Sequence, residues 1–490
     1  MHSMTLEQQR FIPASVPSGV ISRRKLLLTI HVIFLALVSG VGILYSTLQL
    51  DGETLLYPAC WLVTLSFCWV LSTWYYVRGT LLEPYPLFML AAGLFHGGQA
   101  VLEILGLNTE GILRGHVSAD ILTPAMYLVA VSLLAVHGGA ILTLKTSGSS
   151  ISQRHNTPER RRATRMAGWL LLGASAIPTF ILLSSSLSVV LDYGYLGMYR
   201  YQSTMSIAQA TSAFFIPGVI FLLAGSKEYR RLQVLSLVLA AAYAVFYLFL
   251  GARRTAVMEC VAVVWAFDRS VARISRPLVA GLALAALLIF PLVRQSRATN
   301  GSDRLSLSEQ LEMVHSMENP ISSSVAEMGY SLITVTHTLQ LVPSSRPFDY
   351  GMSYLSAVFA VVPNLGWEVH PSVEHGMLAD WLIRTVDPSV AAGGGGLGFS
   401  FIAEAYLNFG WIGGPIWLGV IGYSLCWFFS KSDGDDPAKH ALVASFLSFF
   451  LLYARSESAA VSRGLVWYAI LPYLLVTLLT VKRHHTGGVA

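Results

Sequence analysis

LLLTIHVIFLALVSGVGILYSTLQL, residues 26–50, is a run of 25 residues without a charged side chain, and Arg23, Arg24 and Lys25 directly precede it. As a helix rising about 1.5 Å per residue, it is long enough to cross roughly 30 Å of hydrocarbon. It is too long for a signal-peptide core and has no small-residue cleavage site, so it is read as a retained first span. Comparable runs recur near residues 55–77, 85–105, 121–144, 166–190, 207–224, 233–250, 252–267, 277–293, 411–430, 440–454 and 465–481. The expected fold is an all-α polytopic membrane protein with about twelve transmembrane helices. Composition agrees: 54% of the 490 residues are hydrophobic and 12% charged, where a soluble domain carries about twice that charged fraction. A soluble enzyme and a disordered chain are both excluded.

Charge sets the orientation. With the N-terminus in the cytoplasm, 21 of the 32 Lys and Arg fall on the cytoplasmic side and 11 on the other, so both termini are expected inside. The loop Lys145 to Arg165 carries the largest share and reads as a solvated topogenic loop. Asp433, Asp435 and Asp436 read as a solvated turn beside Gly434 and Pro437. The net charge of +5 belongs to helix ends facing anionic lipid, so no nucleic-acid partner is expected. Cys60, Cys68, Cys260 and Cys426 all lie in apolar stretches, and no disulfide is expected.

Three regions follow: transmembrane helices one to nine in residues 1–293, a large outer loop in 294–396, and an interfacial helix with the last three spans in 397–490. Tyr354 to Val362 is apolar but too short to span, and residues 374–384 read as a short helix. The four glycines Gly393 to Gly396 then form a joint. No internal repeat is evident.

All six lysines lie on the cytoplasmic side. The outer eleven basic residues are all arginine, at positions 114, 200, 253, 254, 294, 297, 304, 346, 384, 455 and 463. A guanidinium is a rigid donor fork matched to paired phosphate oxygens and stays charged near lipid. Gly251-Ala-Arg-Arg-Thr255 joins two spans of about 17 residues, roughly 26 Å each. Arg253 and Arg254 therefore sit at or just below the interface, where an anion or a water-filled cavity must neutralise them; snorkelling to lipid phosphates is the plainer alternative. Arg294 with Arg297, and Arg455 with Arg463, repeat the pattern at the same face. All six are candidates for holding a lipid-linked pyrophosphate.

Residues Leu397 to Phe429 would make about 50 Å of helix, too long for one span. The break belongs at Gly410, Gly413, Gly414 and Pro415, leaving a short outer helix with Glu404 and Asn408 on one face. Nearby, Glu368, His370, Glu374, His375 and Asp380 include the side chains able to take a proton from a sugar hydroxyl. His375 and Glu404 are the first candidates for a base, with His370 and Asp380 behind them. Tyr406 and Asn408 are candidates for glycan contact. The spacing of the two histidines is not that of an HExxH site, and no metal or other cofactor is expected. His96, Gln99 and Glu103 form a polar stripe that should face the bundle interior.

Phe399 to Gly413 (FSFIAEAYLNFGWIG), the Arg253–Arg254 pair between two spans and the large late outer loop together resemble Wzy-type polymerases of O-antigen repeat units. The resemblance implies a GT-C-like glycosyltransferase of the bacterial inner membrane working at the periplasmic face. It implies substrates on undecaprenyl pyrophosphate, as both donor and acceptor, with growth at the reducing end and with neither a metal nor a nucleotide sugar. Membrane lipids and a chain-length-regulating protein are the other implied partners. A lipid-linked glycan ligase and a flippase or exporter of lipid-linked oligosaccharide are the competing readings, and the outer loop disfavours the flippase.

Overall fold

A computed structural model describes residues 18–48, 51–109, 111–113, 115, 117–144, 156–195, 197–200, 206–298, 309, 312, 315, 319–363 and 366–486. They are overwhelmingly helical, and no strand occurs among them. Ten helices among the described residues are long and apolar enough to cross a membrane, and they correspond to ten of the twelve expected spans. The other two expected spans are helices as well, Arg253–Ser270 and Arg276–Ala298. Arg253–Ser270 runs from Arg253, paired with Glu327, to Arg269, paired with Glu83 at 3.1 Å. Arg253, Arg254, Glu259, Asp268 and Arg269 make it less apolar than its neighbours.

The bundle has two unlike ends. At one, Glu83 takes hydrogen bonds from Trp74, Arg78 and Arg269. The acidic turn at 433–436, expected to be solvated, keeps Asp433 and Asp435 exposed but also makes contacts here. Asp433 pairs with Arg78 at 2.7 Å, Asp436 with Arg160 at 3.2 Å, and Asp435 accepts from Asn156 at 2.6 Å. Of these three carboxylates only Asp436 is buried. Much of the expected Lys145–Arg165 loop lies outside the described residues.

The core centres on Ala119–Thr143, which packs along Phe401–Phe429. The two backbones touch: a β-carbon at Gly139 would overlap the Gly419 carbonyl oxygen, and one at Gly422 would overlap that of Val136. Small residues at such a crossing allow the close packing that replaces the hydrophobic effect in lipid. Gly410 interrupts the second helix with φ 66° and ψ −160°, a left-handed φ that suits glycine. The helix therefore breaks where its length required, and a short outer segment carries Glu404 and Asn408.

The outer region differs from a free loop. Helices Pro320–Gly329 and Leu332–Leu341 pack into the bundle. Gln99 donates to the Ala326 carbonyl at 2.9 Å, and Leu332, Ile333, Thr334, Val335, Thr336 and Thr338 are buried. The threonines are tolerated because Thr334, Thr336 and Thr338 return their hydroxyls to backbone carbonyls. The single helix expected over 374–384 is two, Pro371–His375 and Leu378–Val386, separated at Gly376.

Candidate active site

Three chain segments meet at the end opposite Glu83. Arg346 and Asp349, three residues apart, form an ion pair at 2.9 Å, and the Arg346 guanidinium also lies 4.5 Å from the centre of the Trp381 ring. His375 approaches from the next helix, its Nε2 3.0 Å from Asp349 Oδ2. Its Nδ1 lies 3.0 Å from the Gly376 carbonyl oxygen. Both ring nitrogens thus face acceptors, an arrangement fully satisfied only by the imidazolium. The Asp349 hydrogen bond accordingly holds the His375 pKa above its ordinary 6.5, against the effect of burial. Burial alone would raise the Asp349 carboxyl, but hydrogen bonds from His375 and Arg346 outweigh it and hold it below its usual value.

Beneath this triad lies a closed polar network. Glu404 is fully buried and accepts from Ser353 Oγ at 2.9 Å, Ser458 N at 2.8 Å and Ser458 Oγ at 2.6 Å. Asn408 donates to Ser353 Oγ and to the Glu404 carbonyl, both at 2.7 Å. It accepts from Gly351 N, also at 2.7 Å, and Asp349 N donates to the Leu407 carbonyl at 2.9 Å. The segment 349–353 is therefore clamped onto the short outer helix, and the clamp positions Asp349. Tyr406 donates to the Val342 carbonyl at 3.1 Å, from an almost fully buried ring.

Residue 457 adds a third attachment. The Glu457 carboxylate accepts from Leu378 N at 2.8 Å and Ala379 N at 3.2 Å, filling the N-terminus of Leu378–Val386 with a negative charge. Burial pushes its carboxyl above the ordinary value, while those two N–H groups act the other way.

The other sequence-predicted residues have distinct surroundings. His370 accepts at Nδ1 from Ser372 N and has Nε2 3.0 Å from the Val362 carbonyl oxygen, so both its nitrogens are committed to shaping a helix start. Asp380 is exposed in the first turn of Leu378–Val386. Arg253 is buried and ion-paired with Glu327 on Pro320–Gly329, whereas Arg254 is exposed. Arg463 donates twice to the Ala360 carbonyl, at 3.0 and 3.1 Å. Arg455 lies 5.4 Å from the Phe95 ring centre. Arg294 and Arg297 fall in the last turns of Arg276–Ala298, with their side chains outside the described residues, as are Arg114 and Arg304. The polar stripe faces inward: His96 meets Ser400 Oγ at 2.7 Å, Gln99 bonds Ala326, and Glu103 accepts from Asn108 at 2.8 Å.

Sequence reading did not single out Asp349, Ser353, Glu457, Ser458 or Glu327, and it left Arg346 among the general set of arginines. The one available signal was R-P-F-D at 346–349, an arginine and a carboxylate in one short turn.

Neither curated proteins nor solved structures show a significant match to the chain. A family model described as O-antigen polysaccharide polymerase Wzy matches residues 27–484. With a helical, multi-pass membrane architecture and a match over nearly its whole length, the chain belongs to the Wzy family of O-antigen polysaccharide polymerases.

Proposed function

We propose that this polymerase moves a growing glycan from one undecaprenyl pyrophosphate to the repeat unit carried on a second, at the periplasmic face of the inner membrane, with both chain termini in the cytoplasm. The observation that carries this reading is the Arg346–Asp349–His375 triad at the end of the bundle that bears arginine without lysine. The acceptor hydroxyl oxygen attacks the anomeric carbon of the donor glycan. The bond from that carbon to the pyrophosphate oxygen breaks, and the electron pair leaves with the lipid pyrophosphate. Guanidinium groups stabilise the charge that develops there; Arg254, Arg294 and Arg297 are assigned to this task, with Arg455 and Arg463 as a second set. Arg253, held by Glu327, sets the position of Arg254 beside it.

His375 is assigned as the base. Once it loses the Nδ1 proton, its Nε2–H stays on Asp349 and the Nδ1 lone pair can take the hydroxyl proton, after which solvent receives it. That step requires the Gly376 carbonyl contact to be released. Glu404 has the weaker claim, because three donors already occupy its enclosed carboxylate; its role is to hold segment 349–353 in place. Tyr406 and Asn408 act in the same supporting way. A separate protein that sets chain length is the expected partner.

In a strain lacking the chromosomal copy, Arg254→Ala and His375→Ala are expected to leave single repeat units on lipid A and to abolish the long-chain ladder on a gel. Normal ladders from both variants would overturn the assignment. Glu404→Gln should differ in kind by lowering the unfolding temperature of the purified protein, since leaving one of the buried donors around it without an acceptor costs about 1–3 kcal/mol. Purified protein given synthetic diphosphate-linked repeat units should form oligomers, which separates a polymerase from a ligase.

A further inference from the structure

Helix Met352–Phe359 is amphipathic in the inverted sense. Its polar Ser353 and Ser356 point inward and are buried, Ser353 onto Glu404 and Asn408. Its apolar Met352, Leu355 and Val358, at intervals of three, are 53%, 45% and 63% exposed. A helix on a water-facing surface does the opposite. The neighbouring Leu378–Val386 does so: Leu378, Leu382 and Ile383 are buried, and Asp380 and Arg384 are exposed.

The exposed apolar face continues the exposed apolar surface of a membrane-spanning helix. Tyr354 packs against Phe409 and Trp417, with ring centres 6.1 and 5.3 Å apart. This sets Met352–Phe359 beside the membrane span that begins after Gly410, whose Ile412 and Ile416 are 78% and 66% exposed. Tyr350 and Trp367, aromatic residues of the kind that settle at a bilayer boundary, are also exposed. Tyr350 adopts φ 49°, a costly conformation for a bulky residue. The bonds that Asp349 and Gly351 make to Leu407 and Asn408 hold it there.

We infer that Met352–Phe359 is sunk in the outer-leaflet hydrocarbon, with Leu355 and Val358 against the acyl chains of ordinary membrane lipids, while Leu378–Val386 stands in water. The bilayer boundary then passes between the two helices, at the level of Asp349 and His375. A lipid-borne head group reaches these residues without leaving the membrane surface. The inference does not depend on the proton-transfer role assigned to His375.

Bimane attached at Leu355→Cys, Val358→Cys or Thr385→Cys tests it, in a full-length chain whose four native cysteines are replaced by alanine. The protein is reconstituted in phosphatidylcholine vesicles with or without brominated acyl chains, with no substrate present. Positions 355 and 358 are expected to be quenched several-fold more by brominated lipid than by aqueous iodide, and position 385 the reverse. Quenching of 355 and 358 by iodide would put the face in water and overturn the inference. Resistance to both quenchers would mean that a second copy or another protein covers it, and would overturn it equally. Should the cysteine-free chain not fold, benzoylphenylalanine at position 355 of the native chain, irradiated in bacterial membranes, should yield a phospholipid adduct; adducts with protein alone would refute it.

Discussion

His375 has an acceptor at each ring nitrogen, and this makes its protonation state the variable that pH controls. Its folded pKa lies above 6.5, so the stability from the charged contact is complete below that value and is lost as pH rises through the raised pKa. For catalysis the sign is opposite: the rate of chain extension by purified protein should climb as pH passes through that same raised pKa, because only the neutral ring can accept a proton. Asp349→Asn removes the contact that raises it. The rising limb should move to lower pH, and turnover should fall about 10²-fold or more; a limb that stays in place would separate Asp349 from the titration. At this scale the sequence was only partly legible. Histidines and arginines can be nominated as residue types, and His375 stands ahead of His370 among the candidates, but no spacing reveals that His375 is set against a carboxylate 26 positions away while His370 starts a helix.

Chain length alone made one feature of the helices readable: residues 397–429 could not be a single span, and the break occurs at Gly410. Glycines at 139, 419 and 422 were less legible, because a small residue in an apolar run could equally mark a kink, a lipid-facing position or a contact. They turn out to be contacts between Ala119–Thr143 and Phe401–Phe429. Gly422→Val should force the two helices apart at a cost of about 1–3 kcal/mol, seen as a lower unfolding temperature in detergent. Gly40→Val, where nothing lies within 4 Å, should change it little. Helices Pro320–Gly329 and Leu332–Leu341 are not legible in the sequence, because Ser and Thr count as polar there, yet their hydroxyls are satisfied by the turn beneath them.

Across the whole molecule, the segregation of lysine and the counting of charges propose an orientation, while ion pairs such as Arg78–Asp433 and Arg160–Asp436 tie helix ends to one another. The orientation proposed from that segregation has a direct check. Green fluorescent protein fused after Ala490 should fluoresce, and alkaline phosphatase fused at Thr385 should be active; the reverse pattern would invert the topology and move the triad to the cytoplasm. The outer region, by contrast, could be located but not its attachment, which depends on pairings between residues far apart in the chain. Helix Pro320–Gly329 takes the side chains of Gln99 and Arg253 on two consecutive residues, Ala326 and Glu327. Chimeras that transplant residues 309–400 alone from a relative would therefore sever a coupling to two hairpins of the recipient. A working graft of the outer region between such enzymes demands that the donor's counterparts of residues 84–104 and 251–270 travel with it.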